Sequence, residues 1–213
     1  MLRIWGRKTS SNVQAVMWAV AELGMEHTRH DAGHIYGVVD TDAFYALNPN
    51  RTVPVIEDDG IAPLWETGVI LRYLGHKYGS DVLWPSDLAA RTGVDKWAEW
   101  AKLNIAQAFT VPVFWQVVRT APKDQDPAAI ARALDGLSVK LAIAEEQVSK
   151  HAYLAGDQFS LADIQLGHVL YRYFDIDIAR PEWPALEAYY ARLKTRAAYR
   201  NTVMISYEEL RVL

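Results

Sequence analysis

The stretch TVPVIEDDGIAPLWETGVILRYL, residues 52–74, runs a strand, a turn, a second strand and a helix together. Val53, Val55 and Ile56 read as an apolar strand, Asp59-Gly60 as a hairpin turn, and residues 61–64 as the returning strand. From Glu66 to Tyr78 the period changes, and Val69, Ile70, Tyr73 and Leu74 fall on one helical face. Pro54 cannot donate to a strand ladder, so it belongs at an edge or a bulge. A plain trans proline and a cis Val53-Pro54 bond both fit. A cis bond would turn the Val53 main chain outward, toward an extended peptide ligand. The helix start brings free N–H groups to an anion, with Thr67 as N-cap candidate and Glu66 placed to meet an ammonium. An ordinary cap explains the same two residues.

Upstream, LRIW (2–5) alternates like a strand, and KTSSNVQAVMWAVAELG (8–24) follows it directly. Val13, Val16, Met17, Val20 and Leu23 make an apolar helix face, and Gly24 is a natural stop. Thr9, Ser10, Ser11 and Asn12 crowd the start of that helix. They either cap it or, with its free N–H groups, hold something negative, including the thiolate of a thiol that arrives from outside. HTRHD (27–31) is a weak second strand, AGHIYGVVD (32–40) a glycine-punctuated loop, and DTDAFYAL (40–47) a short helix stopped by Asn48-Pro49. The order to residue 78 is β-α-β-α-β-β-α.

Downstream no strand is convincing. A turn-rich connector leads into a helix over 88–109, which Pro112 is expected to interrupt or kink. Asp126-Pro127 starts the next helix, with a stripe of Ile130, Leu134, Leu137, Leu141 and Val148. SLADIQLGHVLYRYF and PEWPALEAYYARLKTR are two more. The fold class is therefore an α/β domain over 1–79, a linker at 80–87 and an all-α domain over 88–213. The net charge is −4 with no long basic run, which disfavours nucleic acid. Cysteine is absent, which excludes disulfides and protein thiolates. No window is apolar enough for a membrane span, and no secretory signal opens the chain, so a cytoplasmic location is expected. His27, His30 and His34 match no metal-ligand spacing.

In this order, SSNVQAVMWAVAELG, NPNRTVPVIEDDG, LWETGVILRYL and LAGDQFSLADIQLG resemble the cytosolic glutathione S-transferases over essentially the whole chain. The resemblance implies a thioredoxin-like first domain, a helical second domain and a homodimer. It implies glutathione as co-substrate, with no metal and no resident cofactor. Absent cysteine and a tyrosine-free N-terminus leave a serine-type enzyme. Ser10 is then the thiol's hydroxyl donor, with Ser11 and Thr9 as alternatives and Asn12 beside them. Pro54 becomes a cis proline, Val53 the main-chain partner of the cysteinyl residue, and Glu66 with Thr67 the grip on the γ-glutamyl end. The family often has Gly then Lys or Arg where Arg51-Thr52 stand. Arg51 or His34 is the expected cation for the glycyl carboxylate, and Tyr36 could line the pocket mouth. Ser160 and Asp163 match the family's structural capping box. Phe109, Phe114 and Trp115 are candidates for an apolar electrophile site, with core packing as the alternative. The implied reaction is conjugation of glutathione to an apolar electrophile. Glutathione-dependent isomerase, dehalogenase or ether-cleaving relatives, or a binding module with little turnover, are the rivals. The isomerase reading is weakened because Asn12 stands where that branch has cysteine.

Overall fold

The structure is a computed structural model that describes residues 1–81 and 83–213. The opening LRIW is strand β1 (Leu2–Trp5), with Leu2 and Ile4 facing the core. Helix α1 (Ser11–Glu22) buries Val13, Val16 and Val20, and Gly24 follows it at φ 62°, where a side chain would be strained. This helix carries the chain back to β2 (His27–His30), which lies parallel to β1. A parallel neighbour needs such a crossover. Helix α2 (Asp42–Leu47) is capped by Thr41, whose hydroxyl accepts the Phe44 N–H. Strands β3 (Val55–Glu57) and β4 (Leu64–Trp65) add antiparallel, giving the order β2-β1-β3-β4. This mixed sheet with its helices is the expected thioredoxin-like arrangement.

The hairpin differs in detail from its sequence reading. Strand β3 begins after Pro54, and β4 pairs only at residues 64–65, after Pro63. Each proline lacks the N–H that would extend the ladder. Helix α3 (Thr67–Tyr78) buries Ile70, Leu71 and Leu74, while Val69 is exposed. Its apolar face is therefore rotated toward Leu71, because α3 packs against α1 on one side and a helix of the second half on the other.

The second half is helical. Helix α4 runs without a break over 88–118. It begins as Leu88–Trp100, passes through π-helical segments Ala101–Ala106 and Thr110–Trp115, and ends with Gln116–Val118. Pro112 does not interrupt it. It sits inside the second π segment, whose wider turn gives room to a ring that would strike the carbonyl four residues back in an α-helix. Helix α5 (Pro127–Lys150) starts at Asp126, which accepts the Ala129 N–H at 2.9 Å. Helix α6 (Leu161–Asp175) is the central, nearly wholly buried helix, followed by α7 (Pro184–Lys194) and α8 (Ala197–Thr202). The capping box is present at the start of α6: Asp163 accepts the Ser160 N–H at 2.8 Å, and also the Leu154 N–H and the Tyr189 hydroxyl at 2.8 Å each.

One continuous core joins the sheet to the helices. Its centre is Trp18 of α1, packed edge-on to Tyr199 with ring centroids 4.6 Å apart and tilted against Phe159 at 5.5 Å. Gly167 of α6 makes room for it, since a Cβ there would meet the Trp18 ring at 2.8 Å. Two charged ties flank this joint: Glu22 with Arg196 at 2.6 Å, and Arg72 with Asp95 at 2.6 Å and Glu99 at 2.5 Å. The first ties α1 to the segment between α7 and α8, and the second ties α3 to α4. No helix among the described residues is long and apolar enough to cross a membrane.

Candidate functional site

Between the sheet unit and α4 lies a cleft of about 400 Å³. Thr52, Val53, Pro54, Glu66 and Thr67 form one wall, and Asn12 at the start of α1 meets it. Lys102, Ala106, Gln107, Thr110, Val111 and Trp115 of α4 form the other. These α4 positions, 102, 106–107, 110–111 and 115, lie three to five residues apart along the helix. The two π segments hold them on one face, because a π turn takes in an extra residue.

The sheet wall is a main-chain construction. The Val53–Pro54 bond is cis. Buried Asn48 steadies the approach to it, donating to the Thr52 carbonyl at 2.9 Å and accepting the Asn50 N–H at 3.0 Å. At the start of α3 the N-cap position falls on Glu66, not on Thr67 as expected, and its side chain makes no capping bond. Thr67 is the first helical residue and is buried, while Glu66 is exposed at φ 71°. Glu66 is one of four non-glycine residues with positive φ among the described residues, with His34, Val38 and Arg51. Such backbone costs about 1–3 kcal/mol per residue and collects at functional sites.

The opening of α1 resolves its crowd of small polar residues unevenly. Thr9 donates its hydroxyl to Glu209 of the C-terminal tail. Asn12 accepts a hydrogen bond from the Lys102 ammonium at 2.6 Å. Ser10 occupies the N-cap position without a side-chain capping bond. Neither the Ser10 nor the Ser11 hydroxyl has a hydrogen-bond partner among the described residues. Both are buried, directly before Asn12, with the first N–H groups of the helix around them. Lys102 was not anticipated. A lysine between Ala101 and the apolar run Ile105-Ala106 was the available signal. Burial pushes its ammonium pKa down, and the charges of Glu66 and Glu99 pull it back up.

The remaining expected residues divide. Trp115 lines the cleft, but Phe109 and Phe114 do not: they are 1% and 0% exposed, in the core. Phe109 packs on Tyr173 and Phe114 beneath the Arg172 guanidinium, because the π segments turn them away from the cleft. Arg51 is committed to the β2–α2 loop, donating to the Val39 and Thr41 carbonyls at 3.1 Å each. His34 is exposed on the turn His34–Tyr36 and is not part of the cleft lining. Burial, then the charges of Arg119 and Arg7, lower its pKa. Tyr36 donates its hydroxyl to Glu209 at 3.4 Å.

The chain matches two family models, "Glutathione S-transferase, N-terminal domain" over residues 9–77 and "Glutathione S-transferase, C-terminal domain" over residues 103–197. It is 32% identical over 206 residues to the glutathione S-transferase GstB of Escherichia coli K12, covering 96% of this chain and 99% of that protein. It is 29% identical to glutathione S-transferase 3 of Zea mays, covering 95% and 93% of the two chains. Among solved structures, a theta-class glutathione S-transferase from Xanthomonas axonopodis pv. citri with glutathione bound superposes with a TM-score of 0.91 at 40% identity. That match covers 96% of this chain and 98% of the other. Both halves of the chain, the cleft between them and these relatives agree: the protein belongs to the glutathione S-transferase family.

Proposed function

We propose that this transferase binds glutathione along the Thr52–Thr67 wall and attacks an electrophile seated against Val111 and Trp115. The Thr67 hydroxyl and the first N–H groups of α3 take the γ-glutamyl carboxylate, and Glu66 takes its ammonium. The Val53 main chain pairs with the cysteinyl residue, which leads the thiol to the start of α1. There the Ser10 hydroxyl donates to sulfur, and the helix field and Lys102 add positive potential. The thiol proton leaves to solvent. The thiolate then forms a C–S bond to the electrophile, and the leaving group departs with its electron pair. Arg51 is held by its loop, so the glycyl carboxylate extends toward the His34 turn instead.

The observation that carries this reading is the unpartnered Ser10 hydroxyl at an N-cap position, where a structural serine would bond the helix. Calorimetry with glutathione, followed by turnover with a chloronitroarene, tests it. Glu66→Gln and Thr67→Ala are each expected to weaken glutathione binding about tenfold, the scale of one charge-assisted hydrogen bond. A wild-type protein that binds no glutathione contradicts it.

A further inference from the structure

Two guanidiniums behind the cleft lining have no carboxylate within 4.0 Å among the described residues. Arg119, just after α4, lies over the ring of Trp115 with its Cζ 4.3 Å from the centroid, and Trp115 lines the cleft. Arg7, in the loop after β1, rests against Gly33, and its Nε is buried without a partner. Among the described residues, Arg3, Arg29, Arg51, Arg72, Arg196 and Arg211 each have a carboxylate within 4.0 Å, and the other eight arginines, Arg7 and Arg119 among them, have none. The acid near Arg7 is Glu209, and its two oxygens already accept the Thr9 and Tyr36 hydroxyls. A third guanidinium, Arg172, is buried behind Thr9 and donates to the Thr9 carbonyl at 2.6 Å. Arg7 thus has Arg119 and Glu209 as charged neighbours, and Arg172 stands behind Thr9, next to Ser10. Burial, then the charge of Arg119, push the Arg7 pKa down, and the charge of Glu209 pulls it part of the way back.

We propose that Arg7 and Arg119 form a carboxylate subsite for the electrophile. The preferred second substrate then has an apolar body against Trp115 and an anionic end between the two guanidiniums. This rests on the proposed function and narrows its substrate class. A guanidinium fork suits a carboxylate, and a partly buried one gains more from it than a surface arginine does. The carboxylate does not take part in bond making. It orients the electrophilic carbon toward the thiolate, so its contribution appears as selectivity.

A carboxylate could also come from the glycyl end of glutathione, and binding of product conjugates separates the two sources. Calorimetry would compare S-(4-carboxybenzyl)glutathione, its benzoate methyl ester and free glutathione on wild type, Arg7→Met, Arg119→Met and Arg119→Lys. Methionine keeps an apolar stem over Trp115 and against Gly33. The acid is expected to bind wild type about tenfold tighter than the ester, and the ratio to fall below about twofold in either methionine variant. Arg119→Lys should keep part of the preference, which separates lost charge from lost packing. Equal binding of acid and ester to wild type, while glutathione binds, overturns the subsite and leaves the transferase reading standing. A methionine variant that loses free glutathione affinity but keeps the acid-to-ester ratio gives the guanidiniums to the glycyl carboxylate and also overturns it. Failure of all three ligands to bind wild type overturns both readings together.

Discussion

The two walls of the cleft are built in opposite ways. The sheet wall is a run of main-chain features from one continuous segment, Thr52 to Thr67. The α4 wall is a set of side chains spread from Lys102 to Trp115 and aligned by two π segments. A wall that binds mostly through N–H, C=O and a helix terminus suits one invariant partner, because substitution reaches only the Glu66 and Thr67 side chains of its grip. A wall that binds through side chains can change its preference one residue at a time. On the proposed reading, glutathione faces the first and the electrophile faces the second. The comparison makes unequal demands on mutation.

Breaking the joint between the walls should have the largest effect. Trp18→Ala removes the side chain that ties α1 to α6 and α8, and should cost about 3–5 kcal/mol in urea unfolding. Glutathione affinity should fall with it, since both walls lose their common support. Undiminished stability would mean that Trp18 does not hold the halves together. Next is Lys102→Met on the helical wall. It should reduce kcat/KM about tenfold through a raised thiol pKa, the scale of a hydrogen bond to a charged group. A change in KM for glutathione alone would place the ammonium on the peptide and not near sulfur. Trp115→Ala should be milder and one-sided. The KM for an aromatic electrophile should rise a few-fold, about the value of a partly exposed ring, with glutathione affinity held.

The smallest effect concerns His168, wholly buried in α6 behind the cleft. Burial, then the charge of Lys102, hold its pKa down to about 3. The unfolded chain binds that proton near pH 6.5 and the folded chain does not. Unfolding is therefore favoured as pH falls from about 6.5 toward 3, and the stability is fully present above that window. Asp163 works in the other direction, since burial raises its pKa to about 6, so its share of the stability is lost as pH rises from about 4 to 6. Comparing urea midpoints at pH 5 and pH 7 for wild type and His168→Gln isolates the histidine. The variant should lose less than wild type on acidification, and equal losses would refute the assignment.

The same contrast explains what was legible in the sequence. The order β-α-β-α-β-β-α followed from local signals: alternation in LRIW, the period of α1, the Asp59-Gly60 turn. Positions 53, 54, 66 and 67 stood out because proline in a strand and an acid at a helix start are local anomalies. The helical wall gave no such cue. Pro112 signalled a break where the helix continues, since a π segment has no distinctive local pattern. The same segments decided that Trp115 faces the cleft while Phe109 and Phe114 face the core. Lys102 acquires its role only from Asn12, ninety positions away. Asn48 looked like a helix stop and proved to be the buried brace of Thr52.

The central claim is that the Ser10 hydroxyl, left without a partner at the start of α1, serves the sulfur of glutathione. Thiolate absorbance of bound glutathione, followed against pH in wild type and Ser10→Ala, tests it directly. The bound thiol should ionise well below the free one in wild type, and Ser10→Ala should return it toward the free value while still binding. A depressed thiol pKa that survives Ser10→Ala would contradict the assignment and move the role to Ser11, or to the helix terminus with Lys102.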